Sequence, residues 1–242
     1  MTLANLTTAL AKHESLQCEV QIVADFLRSI GLAVECKSGA AGFVPGIEIE
    51  NGKLLVDQRI CVAGDLLHEA GHLAVIPTLF RSRANTDLDA LAKKMGQYLS
   101  ADNSYGGDPV CRAILQSGEC EATAWAWAAG THLGFPPNVI IHANAYQDQH
   151  GNEGASAIRQ ALSCNSYFGI NGLQAAGWCA VRAGPYAEYL NLPVFPRLAF
   201  WTQKRPDSRV AMAYVAGTLV PSDAPRKMRR LRYAIRLMRR FR

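Results

Sequence analysis

The stretch Asp65-Leu-Leu-His68-Glu69-Ala-Gly-His72-Leu-Ala-Val-Ile-Pro77 decides how the rest of the chain is read. Its flanks, Leu66, Leu67, Leu73, Ala74, Val75 and Ile76, predict a helix buried on most sides. Residues four apart share one helix face, so His68 and His72 present two imidazoles one turn apart. Two histidines and a glutamate among aliphatic side chains are costly to bury unless something satisfies them. A metal ion does so. Zinc favours such nitrogen ligands and, at a catalytic site, takes three protein ligands plus a water. Glu69 follows the first histidine and leans toward the same ion without binding it. It is placed to take a proton from a water whose pKa the metal lowers to about 7. The spacing therefore supplies two ligands and one general base. A helix with two ordinary histidines and a solvated glutamate leaves the burial cost unmet.

A second stretch, Ser117-Gly-Glu119-Cys-Glu121-Ala-Thr123-Ala-Trp125-Ala-Trp127-Ala128, is rich in alanine and predicts a closely packed helix. Two glutamates open it. A spacing of two places them about 200° apart around the axis, so only one faces the metal. Glu121 shares a face with Ala124, Trp125 and Ala128 and is preferred over Glu119 as third ligand. Both acids also suit a helix N-terminus, where they complement the dipole, but that leaves the zinc short of a ligand. His132, eleven residues after Glu121, falls on the same side if the helix persists. It is a candidate for stabilising an oxyanion or bracing a ligand, against the ordinary reading of a capping or core histidine. His142, His150, Tyr105 and Tyr146 are further candidates that spacing does not separate.

Around these two helices the pattern is mixed. Residues 14–30 carry Leu16, Val20, Val23, Phe26 and Ile30 at helical steps, closed by Gly31. Residues 32–36 read as a strand, and Asn51-Gly52 between 47–50 and 53–56 predicts a hairpin. Residues 60–62 read as one more short extended piece. Gly64 breaks the chain, and Asp65 is expected to cap the metal helix. The small sheet is expected to pack on that helix and to offer an edge for an extended peptide. Pro77 ends or bends the metal helix. A helix follows over 86–99, then a turn-rich connector over 101–109. Residues 153–181 predict one or two helices broken near Gly169–Gly172, and Pro193, Pro196 and Pro206 mark irregular chain. The pattern over 209–220 does not decide between strand and helix.

With 49% hydrophobic and 19% charged residues in 242, the chain holds a real core and is not a disordered one. Seven cysteines, an odd number without a C-x-x-C pair, predict mostly buried thiols in a reducing compartment. No positively charged start leads into an apolar run, so the expected location is cytoplasmic. The uncharged stretches 122–147 and 160–181 are interrupted by Gly, Pro and Asn, which argues for a soluble interior over a membrane span. Residues 226–242 hold nine of the 25 Lys and Arg and no acid. The remainder carries 16 basic and 20 acidic residues, a net −4, so the +5 total belongs to that tail. Met228, Leu231, Ile235 and Met238 give the tail an apolar stripe. A basic amphipathic helix of this kind suits an anionic partner, whether nucleic acid, a membrane surface or an acidic protein face, including its own body or a sister subunit in a homo-oligomer.

His68-Glu69-x-x-His72 followed by a helical glutamate resembles the gluzincin group of zinc metallopeptidases. Within it, Glu121-Ala-Thr-Ala-Trp125-Ala126 is similar to the Glu-Ala-x-x-aromatic-Ala helix of the ImmA/IrrE-like peptidases, which also place a helix and small strands ahead of the metal helix. The resemblance covers roughly 14–130. It implies Zn²⁺ held by His68, His72 and Glu121, with Glu69 as catalytic base acting on a peptide or protein substrate. His68-Glu-Ala-Gly-His72 also resembles the protease domain of membrane-anchored AAA proteases, although no ATPase module accompanies it. The extended metzincin pattern is absent after His72. The expected architecture is α+β: one predominantly helical, zincin-like domain over 1–225, with its core at 14–130 and a helical part at 131–225. A small N-terminal sheet packs on the metal helix, and 226–242 forms the basic tail. The expected activity is peptide-bond hydrolysis. The alternative is a catalytically silent scaffold of the same shape that binds through the tail.

Overall fold

Two helices form the centre of the computed structural model, which describes residues 3–101, 109–146 and 154–203. The tail 226–242, the segment 209–220, Tyr105, His150 and most of the 101–109 connector lie outside the described residues. The helix α2 (Ala63–Val75) carries both histidines, and α6 (Glu119–His132) packs along it. In order, α1 (Leu3–Ser29) leads to β1 (Val34–Cys36), β2 (Ile47–Glu50) and β3 (Lys53–Val56). After α2 come α3 (Thr78–Arg81), α4 (Leu88–Ala101) and α5 (Pro109–Leu115). Beyond α6 lie α7 (Pro137–Ile140), α8 (Gly154–Ser163), α9 (Phe168–Ala175) and α10 (Pro185–Leu190). The class is mixed α+β, dominated by helix. No described helix is long and apolar enough to cross a membrane.

The helix α1 buries Val20, Val23, Ala24 and Leu27, one face at helical spacing, and Gly31 past its end holds φ +88. The sheet order is β1-β3-β2, with β1 parallel and β2 antiparallel to β3. Asn51 and Gly52 both take positive φ, as a tight hairpin turn requires. β2 alternates, with Ile47 and Ile49 inward, while the central β3 buries Leu54, Leu55 and Val56 in succession. Ile47, Ile49, Leu54 and Val56 join Leu66, Leu67 and Ala70 of α2 in one core.

Several expectations change. The β2 edge is not open at Ile49, because its N–H donates to Thr86 Oγ1 and its carbonyl accepts from Thr86 N–H. An incoming peptide would have to displace that loop. Residues 60–62 form a turn and irregular chain rather than a strand. The break in 153–181 falls between Ser163 and Phe168, where Asn165 takes positive φ. Gly169 and Gly172 sit inside α9, where a β-carbon would collide with Cys120 and Glu121 of α6. They permit close helix packing and do not end a helix.

Gly71 performs the same service between the two central helices. A β-carbon there would lie 2.5 Å from the carbonyl oxygen of Ala122. At the far end of α2, the Arg81 guanidinium donates to the carbonyls of Leu73, Ala74 and Ile76, satisfying groups that a helix end leaves unpaired. Gln203 N–H donates to Ala74, and its carbonyl accepts from Thr78 and Arg81, so the last described residues close over the same helix end.

Asp57 anchors the 37–46 loop, which forms one wall of the site. Its carboxylate accepts from the Arg59 guanidinium and from the Gly39 N–H at 2.7 Å. Those donors, Arg59 first, hold its pKa well below the usual carboxylate range. Such a group adds stability above its unfolded pKa and loses it as pH falls through the folded one. Wild type should therefore exceed Asp57→Asn in stability at neutral pH, and the gap should close in strong acid; urea midpoints at several pH values measure this. Gly71→Ala should destabilise the fold by about 1–3 kcal/mol through overpacking, measured by denaturant unfolding; a neutral result would show that α2 and α6 separate freely.

Candidate metal centre

The approach of α6 to α2 at Ala122 brings the adjacent turns of α6, with Glu119 and Thr123, against the imidazoles. His68 Nε2 lies 2.8 Å from Glu119 Oε1, and His72 Nε2 lies 3.2 Å from Glu119 Oε2. The two rings are 4.8 Å apart and nearly perpendicular. Ligand atoms from His68, His72 and Glu119 all fall within 4.8 Å of one another, and this cluster can hold a metal ion. Glu119 is largely exposed toward a cleft of about 970 Å³.

The cleft is also lined by Asp65, Glu69 and Tyr146, with Phe43 and Val44 from the loop that Asp57 anchors, and Leu91 and Met95 from α4. Glu69 is buried, at 8% exposure. Burial raises its pKa against the opposing pull of His72 and His68. Burial lowers the affinity of His68 for a proton, yet the Glu119 hydrogen bond and charge reverse that, and the net shift is upward. Hydrogen bonds from His68 and His72 hold Glu119 well below the usual carboxylate range.

Behind the ligands, Tyr146 OH lies 3.2 Å from His68 Nδ1 and 2.8 Å from Thr123 Oγ1. Thr123 Oγ1 donates to the Glu119 carbonyl at 3.0 Å and lies 3.5 Å from His68 Nδ1. Burial pushes the Tyr146 hydroxyl up to about 12. Asp65 does not cap α2, because the chain is already helical at Ala63. Its carboxylate instead pairs with His142 Nε2 at 2.9 Å.

The structure brings His68, Glu69 and His72 together as the spacing predicts, but supplies Glu119 where Glu121 was expected. Glu121 is buried on the α9 side, where its Oε2 accepts from the Gly118 N–H at 3.2 Å and it packs on Gly172. The face it shares with Ala124, Trp125 and Ala128 did not separate the two neighbours of α6, which is enclosed by α2 on one side and α9 on another. His132 also fails to reach the site. It ends α6, thirteen residues past Glu119 and so about 20 Å along the axis, where it lies exposed against Phe26 and Trp201. His142 and Tyr146 are the aromatic candidates that do line the cleft. Thr123 was not singled out; its only signal is a hydroxyl one turn after Glu119.

No family model, curated protein or solved structure matches the chain.

Glu119→Ala should weaken zinc binding by more than the ~10–100-fold that loss of an outer hydrogen bond costs, while Glu121→Gln leaves it unchanged. Competition with a chromophoric chelator measures both. The reverse ranking would restore Glu121 as the ligand.

Proposed function

We propose that this chain is a zinc-dependent peptidase of the gluzincin kind. The observation that carries the reading is the convergence of two imidazoles and one carboxylate on a single cleft, with a second, buried carboxylate adjoining the first imidazole in sequence. Two histidines and a glutamate match the donor set that catalytic zinc takes, leaving a position for solvent or substrate. His68 and His72 would hold the ion through Nε2, and Glu119 through its carboxylate. When bound, zinc acidifies water and polarises a carbonyl.

The protein's own groups then have distinct tasks. Glu69 accepts a proton from the attacking water and returns it to the departing amine, as general base and then general acid. Its burial restricts where that carboxylate can point. His142, fixed by Asp65, is an imidazole that the cleft offers to a bound substrate. The apolar side chains of Phe43, Val44, Pro45, Leu88, Leu91 and Met95 on the cleft wall suit the side chains of a peptide.

Glu69→Gln should retain zinc yet lose about 10²–10⁴-fold in hydrolysis, measured on a peptide library with zinc content assayed in parallel. Undiminished cleavage by the zinc-loaded variant would remove Glu69 from the chemistry.

A further inference from the structure

With a cation on His68 Nε2, the hydrogen bonds behind that ring have one self-consistent direction. A carbonyl only accepts, so Thr123 spends its single hydroxyl proton on the Glu119 carbonyl. Thr123 Oγ1 must then receive the 2.8 Å bond from Tyr146. That leaves Tyr146 no proton for His68, so its oxygen accepts, and the hydrogen at 3.2 Å belongs to His68 Nδ1. The relay ends on the backbone of Glu119, whose carboxylate faces the other nitrogen of the same ring. A closed circuit thus joins two of the three metal-binding side chains.

Resting on the metal-site reading above, we propose that Tyr146 is a positioning residue of that centre. With Thr123 it fixes His68 as the Nδ1–H tautomer and turns the Nε2 lone pair toward the cation. Ligating histidines regularly donate their second N–H to an acceptor that sets ring orientation. Here the acceptor is a phenol oxygen held by a threonine, so the ring is oriented without a further negative charge. A second observation points the same way. Tyr146 holds φ +59, a conformation that bulky residues adopt at a cost. The cost is borne at the position that delivers the hydroxyl. The ordering of 142–146 is thereby coupled to the metal.

The test compares Tyr146→Phe, Thr123→Val and Thr123→Ser with wild type in the full chain. Zinc affinity is read by chelator competition, folding by thermal melting, and the His68 ring by ¹⁵N NMR of the zinc-loaded protein. Tyr146→Phe and Thr123→Val should each lose about 10–100-fold in zinc affinity, and Thr123→Ser should stay close to wild type. The wild-type spectrum should show zinc on Nε2 and a hydrogen on Nδ1. Zinc binding by Tyr146→Phe as tight as wild type, or coordination through Nδ1, overturns the assignment while the peptidase reading stands. If Tyr146→Phe fails to fold, Thr123→Val against Thr123→Ser makes the same comparison. A wild type that takes up no zinc overturns both readings.

Discussion

The contact of Gly71 with the backbone of Ala122 is the constraint on which the site depends. Two helices carrying β-carbons at that point would stand further apart. With glycine there, α6 settles against the turn of α2 that bears the imidazoles. Glu119, Ala122 and Thr123 then share one face, by the three- and four-residue spacing of a helix. Glu119 meets the Nε2 atoms and Thr123 lies behind the His68 ring. One small residue therefore sets both the carboxylate that meets the imidazoles and the hydroxyl beside His68.

Charge completes what packing begins. The cleft is lined by Asp65, Glu69, Asp87, Asp89 and Glu119 and, among the described residues, by no lysine or arginine. Clefts lined with one sign of charge focus the potential and concentrate counter-ions. The Glu119 carboxylate and the two imidazoles satisfy one another. A divalent ion would replace those contacts with coordination from the same three side chains. Asp65 is occupied by His142, and Asp87 binds the N–H groups that open α4. Asp89 is exposed, which leaves Glu69 as the buried acid beside the two imidazoles.

The parts of this arrangement that were legible in the sequence are those with a local cause. The turn of helix holding His68, Glu69 and His72, the Asn51-Gly52 hairpin and the end of α2 before Pro77 each follow from short-range geometry. The choice between Glu119 and Glu121 does not. The helix α6 buries Glu121 through Gly130 without interruption, so no exposed face indicates which side meets α2. The face shared with Ala124, Trp125 and Ala128 led to Glu121, whereas Glu119, which meets the imidazoles, is solvent-exposed. Gly169 and Gly172 misled for a related reason: their role is contact with α6, over forty residues away in sequence. Tyr146 reaches His68 from a loop 78 residues on, a distance across which no spacing rule operates.

The most direct measurement is X-ray absorption at the zinc edge on the purified, zinc-loaded protein. The account predicts a first shell of nitrogen and oxygen at about 2.0–2.2 Å, with the outer scattering of two imidazoles and no sulfur. A sulfur shell at about 2.3 Å, drawn from any of the seven cysteines, or a zinc shell without imidazole scattering would contradict it.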